Sequence, residues 1–173
     1  MDRLPCPSCG VEHDLSDFEP SYRSPDAYLA VPTEERDFRT TRGSDSCRVR
    51  DDADTNRRYF LRALLPVAIR GEQETCSWGV WVEVSEAAYE RARELWDAPA
   101  TIQLAEAPLD GALANALLGY DGTLGLPGTM QLTGPTTPPV FTFAPEITHL
   151  LAVEQREGVY PERVLEWLVA HVH

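Results

Sequence analysis

Residues 58–85 read RYFLRALLPVAIRGEQETCSWGVWVEVS, and this stretch decides the fold. Apolar side chains recur at every second position on both sides of the turn-like sequence GEQE at 71–74, which is the pattern of two half-buried strands. The two apolar rows are Tyr59, Leu61, Ala63 and Leu65, and Trp78, Val80, Val82 and Val84. The simplest arrangement of two such strands joined by a short turn is an antiparallel hairpin.

Helices are predicted after this hairpin. Ser85 is a suitable N-cap for a helix with apolar residues at helical spacing, and Pro99 stops it. Near the C-terminus, residues 148–157 form a second predicted helix, and Pro161 begins a third with one apolar stripe.

The segment between these helices favours shorter elements. We expect strands at 129–133 and 140–143 and a short helix around 109–118. The predicted fold class is therefore α+β: a curved, mainly antiparallel sheet of four to six strands with helices packed on one face, plus an N-terminal zinc knuckle.

The first part of the chain has a different character. Residues 1–32 contain five prolines and few periodic apolar positions, so a long helix or strand is implausible there. Thr33 caps a short predicted helix that ends at Gly43. We predict a single domain spanning 1–173, in which 1–46 is an irregular zinc-knuckle leader with a short helix and 47–173 is the α+β core.

The most specific chemical signal is the sequence Cys6-Pro7-Ser8-Cys9-Gly10. Two thiols separated by two residues on a tight turn reach one tetrahedral zinc ion, with His13 and Cys47 as the further ligands. His149 is a rival for the fourth position. The alternatives are unligated reduced thiols, a buried apolar Cys47 and a thioredoxin-like redox pair, which would need a preceding strand. A closed site of this composition favours a structural zinc over a catalytic one.

Several segments taken together resemble one known family. They are Cys6-x-x-Cys9-Gly10-x-x-His13, residues 32–36, Cys47, Phe60-Leu61-Arg62, Trp78-Gly79-Val80-Trp81-Val82 with Ser85-Glu86, and HLLAVEQREG at 149–158. In the same order, they resemble the bacterial family catalogued as domain of unknown function 2199. The resemblance implies a family without an established activity, so it supports the fold and the metal cluster more than any function.

Charge narrows the choice of partners. The chain has 28 acidic and 15 basic residues, all of the latter arginine, and a net charge of −13. This surplus repels polyanions, so we expect neither nucleic acid nor an anionic membrane surface as a partner. A basic protein or a small molecule is the kind of partner that this charge allows. No apolar run is long enough for a bilayer span, and the N-terminus lacks an apolar signal core, so we expect a cytoplasmic protein.

Two groups of residues are candidates for a binding or catalytic role. Arg62 and Trp81 lie off the main apolar rows, where they would line a groove or pack under a second layer. The second group is a polar cluster near the C-terminus: His149, Glu154, Gln155 and Arg156. Its members would supply a general base or lock helices to the sheet.

The sequence thus supports two functional hypotheses. The first is a zinc-stabilised, non-enzymatic binding or interaction module of an accessory or immunity type. The second is a small metal-dependent or histidine-assisted enzyme with a cleft around Trp81, His149 and Glu154. Convergence of those three side chains on one cleft would favour the enzyme.

Overall fold

The computed structural model of the chain describes residues 3–5, 12–14, 19–73, 75–98 and 107–172. Nine strands are found in these ranges: β1 Arg3–Pro5, β2 Glu12–Asp14, β3 Thr40–Arg42, β4 Ser46–Arg50, β5 Arg57–Ala68, β6 Thr75–Val84, β7 Leu109–Leu113, β8 Pro127–Gln131 and β9 Val140–Phe143. The helices are α1 Asp26–Leu29, α2 Arg36–Arg39, α3 Glu86–Trp96, α4 Leu150–Glu157 and α5 Pro161–Val172, and a 3-10 turn covers Thr33–Glu35. The α+β class is confirmed.

The β5–β6 hairpin forms as its alternation predicts. The strands are antiparallel, with Leu61 opposite Val82 and Leu65 opposite Trp78. These four side chains are all fully buried, because residues directly opposite each other share one face of the sheet.

The sheet is larger than predicted and closes on itself. It contains seven strands in the order β3-β4-β5-β6-β7-β8-β9, where four to six were expected. β9 also pairs in parallel with β5, at Val140 and Leu64, so that strands β5 to β9 form a small barrel. Every other pairing in this sheet is antiparallel.

Two segments predicted as helix account for the additional strands. The expected helix at 109–118 is wrong: residues 109–113 form β7, where Gly111 allows β6 to approach so closely that a Cβ would lie 2.5 Å from Val82 Cγ1. The helix expected to run from Thr33 to Gly43 ends at Arg39, and β3 follows it. In both places sheet pairing outweighs a weak local preference for helix.

The helices cover both faces of the sheet rather than one. Residues of α3, α4 and α5 join the main apolar cluster, which contains the inward row of β5 and β6. A second cluster lies on the opposite face, where α1 covers part of β4, β5 and β6. Its buried members are Val31, Cys47, Val49, Phe60, Trp81 and Ala114.

The longer helices begin where capping groups are available. The Ser85 side chain accepts a hydrogen bond from the backbone N–H of Ala88 at 3.1 Å, which confirms Ser85 as the N-cap of α3. His149 caps α4, so this helix begins two residues later than expected. α5 begins at Pro161, as predicted.

The leader is attached to the barrel through the edge of β6. The backbone N–H of Gly79 donates to Pro20 O at 2.8 Å, and the N–H of Tyr22 donates to Gly79 O at 2.9 Å. From residue 19 onward, the leader is held in place by backbone pairing and by burial. Its proline content does not reveal these interactions. Among the described residues, no helix combines the length and apolar character that a bilayer crossing requires.

Candidate functional site

The predicted metal ligands are only partly within the described residues. Cys6 and Cys9 lie outside them. His13 belongs to β2, where its backbone pairs with Leu4 of β1. Within the described ranges, no three histidine, cysteine, aspartate or glutamate side chains are grouped so that they could hold a metal ion.

Cys47 is fully buried in the second apolar cluster. Burial raises the pKa of its thiol to about 12, so without a metal ion the thiol stays protonated at neutral pH. A cysteine binds zinc as a thiolate. The Cys47 thiol would therefore lose its proton only when the ion binds. Its assignment as third ligand stays a prediction.

Trp81 is buried and does not line an open groove. It is 1% exposed, and its indole N–H donates to Tyr22 O at 2.9 Å. Neighbouring Arg62 donates to Ser21 Oγ at 2.5 Å. Both side chains thus hold the leader against β6, which corresponds to the packing alternative for Trp81 and not to the ligand-binding one.

A buried asparagine that the sequence did not single out completes this junction. Asn115 is fully buried; its Oδ1 accepts from the backbone N–H of Trp81 at 2.8 Å, and its Nδ2 donates to Ser24 O at 2.9 Å and Asp26 Oδ1 at 3.1 Å. One amide group therefore links β6, the leader and the loop after β7. The sequence signal was weak, because an asparagine in a loop is ordinarily exposed.

Both ring nitrogens of His149 have partners. Nδ1 accepts from the backbone N–H of Leu151 at 3.1 Å, so Nε2 carries the proton and donates to Asp121 O at 2.7 Å. The imidazole joins the start of α4 to the loop between β7 and β8. Neither nitrogen is left to ligate a metal while these bonds exist.

Glu154 belongs to an internal network with Tyr120 and Arg163. Its carboxylate accepts from the Tyr120 hydroxyl and from Arg163 Nε, the latter at 2.9 Å. The Arg163 guanidinium also lies 5.2 Å from the centre of the Tyr120 ring. Burial, followed by the hydrogen bond to Glu154, raises the pKa of Tyr120 well above its usual value. This network connects α4, α5 and the loop before β8.

Gln155 and Arg156 differ in their surroundings. The Gln155 amide pairs with the backbone of β9, donating to Phe141 O at 2.8 Å and accepting from Phe143 N at 2.9 Å. Arg156 is exposed. Trp81 packs in the second cluster, whereas Tyr120, the partner of Glu154, packs in the main one. The structure therefore does not bring Trp81 together with His149 and Glu154.

An unexpected site lies where α2, β3 and the β4–β5 hairpin meet. Three adjoining hollows of about 460, 450 and 340 Å³ are found there, and Arg39 and Arg50 line all three. The second hollow is also lined by Arg48 and Arg57. We call these four residues, together with Phe38 and Thr41 from the same hollow, the arginine surface.

The strand register concentrates positive charge on this surface. Arg50 of β4 lies directly opposite Arg57 of β5, and Arg48 is on the same face of β4. Like charges directly opposite each other in a sheet destabilise the pairing. An anion bound between the two guanidinium groups would attract both and so offset their repulsion.

Most arginines of this region already have partners. Seven lie between residues 36 and 58. Arg39 pairs with Glu35 and Asp52, each at 2.5 Å, and Arg50 pairs with Asp54 at 3.1 Å and donates to Phe38 O. Arg36, Arg42 and Arg58 donate to Val31 O, Ser24 Oγ and Glu83 respectively. Of these seven, only Arg48 and Arg57 have guanidinium groups without a hydrogen bond or ion pair to another described residue.

The hairpin loop beside this surface is held by its own side chains. Asp51 accepts from the Thr55 backbone N–H and hydroxyl, both at 2.8 Å, and these bonds lower the pKa of its carboxyl. Asp54 adopts a positive φ of 55°. The one signal in the sequence was the arginine density of residues 36–58, which the acidic total conceals.

Comparison with known proteins adds one finding. Residues 5–159 match a family described as an uncharacterized protein conserved in bacteria, DUF2199. No curated protein and no solved structure matches the chain.

Proposed function

The chain belongs to the DUF2199 family, and from this premise we propose that it is a non-enzymatic binding module that holds an anionic ligand at the arginine surface. The observation that carries the proposal is that Arg48 and Arg57, which form no ion pair with a described residue, lie in one hollow beside Arg50. Arg57 is exposed and Arg48 is half-buried, and neither has a carboxylate partner among the described residues, although the net charge of the chain is −13.

The other candidate residues support binding rather than catalysis. His149 and Glu154 are engaged in contacts that join helices to loops, and Trp81 lies on the other face of the sheet. The basic protein partner that the sequence predicts would bind elsewhere, at acidic side chains. These are spread over the chain, whereas the arginine surface is confined to one region. The two kinds of ligand are therefore distinguishable by experiment.

The test is calorimetric titration with citrate, a small polyanion, and with a pentaarginine peptide. We expect citrate to bind, and Arg48→Gln and Arg57→Gln to weaken it about tenfold each, because each removes a charge-assisted hydrogen bond. Arg156→Gln is the matched control, since it removes the same charge from an exposed site elsewhere. Equal weakening by all three variants, or binding of pentaarginine alone, would overturn the proposal.

We also propose a structural zinc held by Cys6, Cys9 and His13, with Cys47 as the remaining ligand. Support comes from the Cys-x-x-Cys spacing and from the β1–β2 pairing, which places His13 on the strand that follows the two cysteines in sequence. When bound, zinc would supply a cross-link in the leader.

Metal analysis of protein purified without chelator tests the zinc proposal. We expect about one zinc per chain, lost in Cys9→Ser with a lower melting temperature and retained in the control Cys76→Ser. Cys47→Ser decides whether the buried thiol is a ligand. Metal-free wild type whose melting is unchanged by Cys9→Ser would refute the site.

A further inference from the structure

We propose that the anion bound at the arginine surface is a phosphate monoester carried on an aromatic ring. This inference rests on the proposed function and specifies the ligand of the same site. Three features of the hollow carry it: two available positive charges, their position on one face of the β4–β5 pair, and an exposed aromatic side chain beside them.

The available charge matches a dianion. Of the four arginines that line the hollow, Arg39 and Arg50 are already paired with carboxylates, which leaves the guanidinium groups of Arg48 and Arg57. A phosphate monoester carries about two negative charges at neutral pH, while a carboxylate carries one. Planar guanidinium groups are also well suited to bind phosphate oxygens through two parallel hydrogen bonds.

One acidic group faces the same hollow. Asp37 of α2 lines it and is exposed, so water screens its repulsion of an anion without abolishing it. Thr41 of β3 adds a hydroxyl that is able to donate to a phosphate oxygen. Replacing Asp37 by asparagine should therefore strengthen phosphate binding, an effect opposite to that of losing an arginine.

Phe38 supplies the aromatic preference. Its side chain is 60% exposed although it is a large apolar group, and it lines the same hollow as Arg48 and Arg57. A phenyl ring at this place offers a stacking surface to a ring attached to the phosphate. The hollow of about 450 Å³ is within the range of small-ligand sites.

Calorimetric titration with phenyl phosphate, inorganic phosphate and benzoate separates these contributions. We expect phenyl phosphate to bind about fivefold to tenfold more tightly than inorganic phosphate, and benzoate to bind least. Phe38→Ala should bring phenyl phosphate to the affinity of inorganic phosphate, whereas Leu29→Ala, which truncates another exposed apolar residue, should change neither. Arg48→Gln and Arg57→Gln should weaken both phosphates about tenfold, and Asp37→Asn should strengthen both.

Two further probes identify the source of the aryl phosphate. O-phosphotyrosine carries its phosphate directly on a phenyl ring, whereas AMP carries it on ribose, away from the aromatic base. Tighter binding of O-phosphotyrosine supports the inference, and tighter binding of AMP would contradict attachment of the phosphate to the ring. If citrate binds in an Arg48-dependent manner but neither phenyl phosphate nor inorganic phosphate does, the binding function stands and this inference fails. If no anion binds, both fail. Equal affinity for phenyl phosphate and inorganic phosphate removes the aromatic part.

Discussion

At the scale of single residues, buried side chains that form several hydrogen bonds contribute most to holding the elements together. Asn115 satisfies one backbone donor of β6 and reaches two oxygen atoms of the leader. A buried amide of this kind has no substitute nearby, since water does not reach it. Asn115 therefore contributes contacts to the junction of leader and barrel that Trp81 and Arg62 do not supply.

Asn115→Ala should lower the free energy of unfolding by about 2–4 kcal/mol, because it leaves the Trp81 backbone N–H buried without an acceptor. Urea unfolding followed by tryptophan fluorescence measures this. The matched control is Asn56→Ala in the exposed hairpin loop, for which we expect a change below about 0.5 kcal/mol. A loss in Asn115→Ala no larger than in the control would contradict the assigned role.

At the scale of elements, the leader behaves as an added strand on β6. Gly79 makes this possible, since a Cβ there would lie 2.5 Å from Ser21 Oγ. The glycine is required for close approach of another backbone and not for a turn. The short bridge between Ser21 and Gly79 is parallel, unlike the neighbouring β5–β6 pairing.

Gly79→Ala should loosen the leader while leaving the barrel folded, because only Ser21 must move. Hydrogen exchange of the Tyr22 and Gly79 amides should become faster by about one order of magnitude or more. Gly43→Ala is a suitable control, since its nearest neighbour, Ser46 Oγ, would be 3.7 Å away. Unchanged exchange at both amides in Gly79→Ala would show that the leader tolerates the extra methyl group.

The helix pair α4–α5 is held by a second device, the carboxylate of Glu154. Glu154→Gln should lower the free energy of unfolding by about 1–3 kcal/mol, because Arg163 loses the more enclosed of its two carboxylate partners. Glu166→Gln removes the exposed partner of the same arginine and should change stability by less than about 0.5 kcal/mol. Chemical unfolding compares the two; equal effects would show that burial is irrelevant here.

At the scale of the whole molecule, stability should fall in alkaline solution. Burial raises the pKa of Cys76 to about 12 and also raises the pKa of Tyr120, so the folded chain retains these protons more tightly than the unfolded chain does. Their contribution is complete below the unfolded values of about 8.5 for cysteine and 10 for tyrosine. It is lost progressively as the pH rises above these values.

Urea unfolding at pH 7, 9 and 10.5 tests this dependence. We expect a steady decrease in the free energy of unfolding from pH 9 upward, and a shallower decrease in Cys76→Ala, which has no thiol to ionise. A wild-type stability that stays constant up to pH 10.5 would be inconsistent with the raised pKa values.

The sequence predicts the elements that depend on local signals better than the contacts between residues distant in the chain. Alternation in β5 and β6 predicts their hairpin, and Ser85 marks the start of α3, because both signals are local. It does not predict β7, which depends on Gly111 fitting against β6, a contact between residues distant in sequence. The arginine surface was missed for a similar reason: opposing Arg50 and Arg57 is a property of register, and register is invisible before the strands are paired.

The pairing of Val140 with Leu64 has a consequence for behaviour at high concentration. Without it, β5 and β9 would each present free backbone groups to another molecule, and such edges template aggregation. The register pairs Val140 with Leu64 at one position, and the Leu64 N–H donates to Pro139 O at 2.8 Å. Partial opening of this seam would expose these backbone groups and favour association between chains at high concentration.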